Sequence, residues 1–168
     1  NGKKKHGEEA QKVFDHLTLI RKSFRKKGFA RVLSENNFPT SAGLASSASG
    51  FAALTAAAVK ALGLKVSGKE LSVLARQGSG SASRSIDGGF VEWVKGSLSD
   101  GSDSYAKQIA LQDHWPELRM IIPVLTMKEK KIKSRAGMRQ TIDTSPLYGA
   151  WLETIEADLN KVREAIRE

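Results

Sequence analysis

The sequence predicts a mixed fold of helices and strands, and three observations carry that expectation. Apolar residues recur at helical spacing in several segments, the period changes to two from Gly88, and loops of Gly, Ser and Ala separate these patterns. With 168 residues, 40% of them hydrophobic, the chain has the length of one ordinary domain and enough apolar content for a core.

Glu8 to Phe24 places Val13, Leu17, Ile20 and Phe24 on one face with charged residues elsewhere, an amphipathic surface helix that Gly28 is expected to end. Phe29 to Phe38 mixes Val32 and Leu33 with polar residues in an extended pattern, and Pro39 turns the chain out of it. Pro39 to Gly50 then holds small uncharged residues almost exclusively. Such residues let backbone N–H groups approach an anion, and the start of the following helix adds unpaired amides and partial positive charge, so a phosphate loop is expected. The alternative is a flexible linker, against which stand Leu44 and the long apolar helix that follows. That helix, Ser46 to Leu62, is dominated by Ala with Phe51, Leu54, Val59 and Leu62, and is expected to be central and buried on most sides. Ser67-Gly-Lys-Glu70 spells a capping box for a short helix through Arg76, with Gly78 as its stop.

Gly78-Ser-Gly-Ser-Ala-Ser-Arg-Ser85 is a second small-residue segment with one cation embedded. It fails as a dinucleotide fingerprint, lacking the third glycine and a preceding strand, and as a Walker A loop, lacking Gly-Lys-Ser/Thr. A tight helix-to-helix turn would explain the glycines but not four hydroxyls around Arg84; a guanidinium fork among hydroxyls suits a carboxylate or phosphate. From Gly88 the alternation of Phe90 to Lys95, the turn-rich Gly96 to Ser104 and Tyr105 to Leu111 read as a hairpin. Asp100 and Asp103 lack calcium-loop spacing and belong to a solvated turn. Leu118 to Leu125, apolar on both faces, is expected to be a central strand. Ser134-Arg-Ala-Gly137 starts a further helix, where a Ser-Arg pair is either an anion contact or plain surface. Ser145-Pro146 opens the final helix, with Leu147, Trp151, Ile155, Leu159 and Val162 along one stripe and Glu153, Glu156 and Lys161 on the exposed face.

The balance of 27 Lys and Arg against 18 Asp and Glu gives a net charge of +9. The cations group in Lys3 to Lys5, Arg21 to Lys27 and Lys128 to Lys133, each read as solvated surface, and no aromatic interleaving or RNA-binding motif points to nucleic acid. Phe51 to Leu64 is interrupted by Lys60 and too short to span a bilayer, so no membrane partner is expected. Without cysteine there are no disulfides or thiolate metal sites, which fits a cytoplasmic origin. His6, His16 and His114 stand alone, so no residue is assigned to a metal. Asn1 at the start and a helical pattern still running at Glu168 suggest a segment excised from a longer protein.

Pro39-x-x-x-Gly-Leu-x-Ser-Ser-Ala48 resembles the phosphate motif of the galactokinase, homoserine kinase, mevalonate kinase and phosphomevalonate kinase (GHMP) superfamily. Asn36-Asn-Phe-Pro-Thr40, Gly78 to Ser85, Gly88-Gly-Phe-Val-Glu-Trp93, His114-Trp-Pro-Glu-Leu118 and Gly137-Met138 resemble more specifically the diphosphomevalonate decarboxylase family, in the right order over nearly all the chain beyond the first helix. The resemblance implies an α+β fold of the GHMP type, whose N-terminal half is related to the second domain of ribosomal protein S-five. Residues 1–125 would be the ATP-binding domain without its first strands, and 126–168 the beginning of the C-terminal domain. It implies ATP with Mg2+, a cytoplasmic homodimer at full length, and ATP-dependent decarboxylation of 5-diphosphomevalonate to isopentenyl diphosphate.

Carried onto this sequence, Pro39, Thr40, Ser41, Ala42, Gly43, Leu44, Ala45, Ser46 and Ser47 would wrap the ATP phosphates, Ser47 lying near the metal and the transferring phosphate. Ser79, Gly80 and Ser81 would contact substrate, Arg84 would hold the carboxylate that is lost, and Ser134 and Arg135 would bind the diphosphate. Two family motifs are absent: the N-terminal Val-Ile-Lys-Tyr-Trp-Gly-Lys and the Phe-Asp-Ala-Gly-Pro that carries the catalytic aspartate. Asp87 is not its substitute, since a Gly-flanked Asp is commonly a turn residue. The segment alone is therefore expected to lack full catalysis. Ala-Ser-Arg also stands where many relatives have Ala-Cys-Arg. The alternatives are a GHMP kinase acting on a mevalonate derivative without decarboxylation, and a non-catalytic basic binding module.

Overall fold

The structure is a computed structural model that describes residues 6–38, 44–123, 132 and 134–168. Its elements are α1 (Glu8–Ser23), α2 (Ser46–Ala61), α3 (Gly68–Gly78), a 3-10 helix (Gly80–Ser85), β1 (Phe90–Trp93), β2 (Ala106–Ala110), α4 (Ser134–Thr144) and α5 (Tyr148–Arg167).

α1 has Glu8 and Glu9 in its first turn and Arg21 and Lys22 in its last, charges that complement the helix dipole, and it buries His16 and Ile20 one turn apart. Its stop is not Gly28. Arg25 adopts a left-handed φ of 51°, and the bonds Arg25 N–H to Lys22 O and Lys26 N–H to Arg21 O close a Schellman motif three residues earlier. Phe29 to Phe38 forms no strand: Phe29 and Leu33 lie open to solvent, and an extended segment without a hydrogen-bonded neighbour does not make a ladder.

α2 buries Ala48, Ala52, Thr55 and Val59, a stripe at helical spacing. Ala53, Ala56 and Ala57 are exposed, so burial covers one face and not most sides; alanine holds the helix by propensity without demanding a packed partner. A second Schellman motif ends α2, with Gly63 at φ 62° and Leu64 N–H on Val59 O. The capping box of α3 is complete: Ser67 Oγ accepts from Glu70 N–H at 3.2 Å and Ser67 N–H donates to Glu70 Oε2 at 2.7 Å.

The core lies among these helices in two clusters. Ile20, Val59 and Leu74 pack with Phe24, Leu62 and Leu71, while Ala52, Ala75 and Ala82 pack with Phe51 and Ile86. The second cluster brings α2, α3 and the 3-10 helix into close contact because alanines face one another.

β1 and β2 form an antiparallel pair with Val91 opposite Gln108, Glu92 opposite Lys107 and Trp93 opposite Ala106, with a register shift between Phe90 and Val91. In the connecting loop, Asp103 accepts from Ser97 N–H and Leu98 N–H, and Asp100 from Ser102 N–H, the solvated turn expected of them. Leu118 to Pro123 is not a central strand. Met120 and Ile121 are almost fully exposed, and the described sheet has only two strands, neither beside this segment; Val124 and Leu125 lie outside the described residues. α5 begins at Tyr148, later than Ser145-Pro146 suggested, since Ser145 N–H still bonds Thr141 O at the end of α4. Its apolar stripe is largely exposed, and its C-terminal end is fastened instead by Arg163 to Glu92 and by a bond between the His114 ring and Ile166 O. No helix among the described residues is long and apolar enough to cross a membrane.

Candidate functional site

The start of α2 is built without a side-chain cap. Ala45 occupies the N-cap position in the left-handed region (φ 51°, ψ 35°), Ala48 N–H bonds back to Ala45 O, and no acidic side chain stands in the first turn. A non-glycine residue held there costs about 1–2 kcal/mol, the kind of strain found at ligand sites. The uncapped first turn leaves backbone amides and the positive end of the helix dipole available to an anion. Leu44 is half-buried, Ser46 is half-buried and Ser47 is exposed, with no capping bond from either serine. Pro39, Thr40, Ser41, Ala42 and Gly43 lie outside the described residues.

The second segment departs from α3 at Ser79, whose N–H still bonds Ala75 O while its backbone has become extended. Both flanking glycines are forced by contact. A Cβ on Gly78 would lie 2.3 Å from Phe51 Cδ1, and one on Gly80 would lie 2.9 Å from Trp93 Cη2. The hydroxyls then divide their work. Ser83 is fully buried and donates to Gly80 O at 2.8 Å, which closes the 3-10 turn, whereas Ser79 and Ser81 are only half-buried. Arg84 is exposed, and its guanidinium carbon stands 5.6 Å from the centre of the Trp93 ring.

A buried node behind the turn fixes it. Ser72 Oγ donates to Ser83 O at 3.1 Å and accepts from Ala106 N–H at 2.8 Å, so one hydroxyl joins α3, the 3-10 helix and β2. Arg76 reaches over the same side, with Nε on Ser104 O and Nη2 on Gly101 O, both at 2.9 Å. Sequence patterns alone did not mark Ser72 or Arg76, and they marked Trp93 only as the end of the Gly88-Gly-Phe-Val-Glu-Trp93 resemblance without a role; only the fold shows what these side chains touch.

Of the titratable groups displaced by their surroundings, His16 and Glu92 are those with mostly covered side chains. Burial holds the His16 imidazole below its usual value. Arg163, which bonds Glu92 Oε1 through Nε at 3.0 Å and Nη2 at 2.5 Å, holds the Glu92 carboxyl below the usual carboxylate range, with Lys107 adding to the effect at 3.6 Å from Oε2. Neither group lies on the Ser79–Arg84 segment. Asp87 is exposed at the bend after the 3-10 helix, as a turn residue would be.

The structure packs α2 against the 3-10 helix of the Ser79–Arg84 segment, with Ala52 in the second turn of α2 and Ala82 in one buried cluster. It does not bring Ser134 and Arg135 to them: both are exposed at the start of α4, a helix with no buried residue to carry it there. Among the described residues no cluster of three or more His, Asp and Glu could hold a metal ion. An exposed serine hydroxyl beside open amides still suits a magnesium ion held chiefly by phosphate oxygens, because that ion needs few protein ligands.

Comparison with known proteins agrees with this architecture. Residues 1–106 match the model of the diphosphomevalonate decarboxylase-like N-terminal domain. The diphosphomevalonate decarboxylase of Eremothecium gossypii is 52% identical over 124 residues, which cover 74% of this chain and 31% of that protein. The crystal structure of mevalonate diphosphate decarboxylase from Staphylococcus aureus superposes with a TM-score of 0.89 at 44% identity, covering 99% of this chain and 50% of that one. A structure of MDDEF in complex with MVAPP, AMPPCP and magnesium gives a TM-score of 0.84 at 46% identity, covering 96% and 49%. The chain thus spans 31% to 50% of these relatives' lengths, and its helices and small sheet are part of their α+β, GHMP-type fold. By the family match over residues 1–106 and by the shared architecture, the chain belongs to the diphosphomevalonate decarboxylase-like N-terminal domain family.

Proposed function

We propose that the protein carrying this chain is an ATP-dependent decarboxylase converting 5-diphosphomevalonate to isopentenyl diphosphate. The observation that supports this most is the packing of α2, a helix whose first turn is uncapped, against a turn that presents two half-buried serines and an exposed guanidinium. Together they make a two-anion site, and a related protein has been seen with MVAPP, AMPPCP and magnesium bound.

In this reading the segment Pro39 to Ser47, with the amides at the start of α2 and the Ser47 hydroxyl, receives the nucleotide phosphates and Mg2+. ATP, when bound, supplies the phosphoryl group that turns the substrate's tertiary hydroxyl into a leaving group. Ser79, Gly80 and Ser81 orient the substrate, the glycine because a side chain there would strike Trp93. Arg84 offers its fork to the carboxylate and keeps it in place until carbon dioxide departs. Ser134 and Arg135 would meet the diphosphate once α4 packs over the site. Residues 1–125 then form the ATP-binding domain and 126–168 the beginning of a second domain, in a cytoplasmic homodimer.

The test uses the full-length protein with ATP, Mg2+ and 5-diphosphomevalonate. Stoichiometric carbon dioxide and isopentenyl diphosphate are expected, with Arg84→Ala lowering kcat/KM by about 100-fold or more, as loss of a charge-assisted contact to the reacting group does. A phosphorylated product without carbon dioxide would assign the protein to the kinases of the superfamily instead.

A further inference from the structure

We propose that Trp93 is a positioning residue for Arg84, holding the guanidinium at the angle from which it meets an anionic substrate. The inference rests on the assignment of Arg84 as the carboxylate-holding group. Arg84 makes no hydrogen bond or ion pair to any described residue; its one contact of that strength is the face of the Trp93 indole, 5.6 Å from ring centre to guanidinium carbon. A guanidinium on an aromatic face keeps its N–H groups free at the edge, and an exposed arginine otherwise samples many rotamers. The indole therefore supplies order without consuming donors.

The platform is itself fixed on three sides. Its Nε1–H donates to Ser104 Oγ at 3.1 Å, and that buried hydroxyl donates on to Val94 O at 3.2 Å. The far edge of the ring abuts Gly80, where a Cβ would come within 2.9 Å of Cη2. The backbone lies opposite Ala106 in the β1–β2 pair, and Ala106 N–H is tied to Ser72, which also binds Ser83 O next to Arg84. The turn and the platform thus share one anchor, which sets the distance between Arg84 and the ring.

A double-substitution cycle in the full-length protein tests this, with KM and kcat for 5-diphosphomevalonate and the melting temperature measured for Trp93→Leu, Arg84→Ala and both together. Trp93→Leu is expected to lower kcat/KM about fivefold, the loss of one exposed cation–π contact. In the Arg84→Ala background the same change should retain less than half of that effect, and Trp93→Phe should recover most of the activity. An equal loss in both backgrounds would overturn the proposal, because Trp93 would then act independently of Arg84. If Trp93→Leu does not fold, the cycle with Trp93→Phe decides in the same way, on a smaller scale. An Arg84→Ala protein with unchanged kcat/KM would instead overturn the assignment of Arg84, an outcome separable from additivity of the two substitutions.

Discussion

His16 Nε2 and Thr55 Oγ1 lie 2.8 Å apart in a buried contact between α1 and α2. The Thr55 hydroxyl gives its only proton to Phe51 O at 2.6 Å, so the imidazole must be the donor in the first bond. Nε2 thereby carries a proton, and burial favours the neutral imidazole, with a buried Nδ1 that has no partner among the described residues. Its ring meets Phe51 edge-on at 5.3 Å, and the two rings form the wall against which Gly78 closes.

This arrangement predicts an acid limb of stability. The unfolded imidazole takes up its proton near 6.5, while the folded one does so only at lower pH. The stability contributed is therefore complete above about pH 6.5 and is lost as pH falls through the folded value. The shifted carboxylates Glu92 and Asp103 titrate from ordinary values of 4.5 and 3.8 downward, so they leave the interval from 6.5 to 5 to His16. Urea midpoints measured at pH 5 and pH 7.5 should differ in the parent chain, and His16→Gln should narrow the difference. An undiminished difference in the variant would assign the limb to another group.

Gly78→Ala should destabilise the chain by about 1–3 kcal/mol, the cost of forcing a methyl group into a packed ring. The helix propensity gained, about 1 kcal/mol at an interior position, is smaller at the last residue of α3 and does not offset it. Gly68→Ala, at the first turn of the same helix, meets nothing within 4 Å and should be neutral or slightly stabilising. Denaturant unfolding of both variants checks the contrast, and equal effects would contradict the close approach of Gly78 to Phe51.

Arg163→Met should loosen α5 without melting the helical core. Arg163 and Lys107 are the cations on Glu92, whose carboxyl is mostly covered, so removing the first leaves a poorly neutralised charge at the sheet. Amide exchange in the C-terminal turns of α5 should accelerate about tenfold or more, while α3 amides change little, since local opening follows local contacts. Uniform acceleration throughout would mean that α5 and the core unfold as one unit.

What was legible in the sequence follows from how local each signal is. The capping box at Ser67 and Glu70 and the hairpin around Gly96 and Gly101 are contained within a few residues, and both stand as read. Phe29 to Phe38 and Leu118 to Pro123 have strand-like composition, but a strand exists only with a neighbour, and composition does not supply one. The Schellman stop at Arg25 was hidden because a charged residue in the left-handed region has no sequence signature to match that of glycine. At the site, the glycines and Arg84 stood out by type. The roles of Ser83 and Ser72 did not, because a hydroxyl serving the protein and one serving a ligand look the same until their partners are known.

Glu92 and Trp93 are neighbours in sequence and, by the alternation of a strand, face opposite ways. One looks toward α5 and its arginine, the other toward the turn that carries Arg84. The two-stranded ribbon accordingly works as a partition, with the mooring of α5 on one side and the Arg84 turn on the other. A change at Trp93 would thus be felt at the Arg84 turn and a change at Glu92 at the terminal helix, so that two adjacent residues are free to evolve separately.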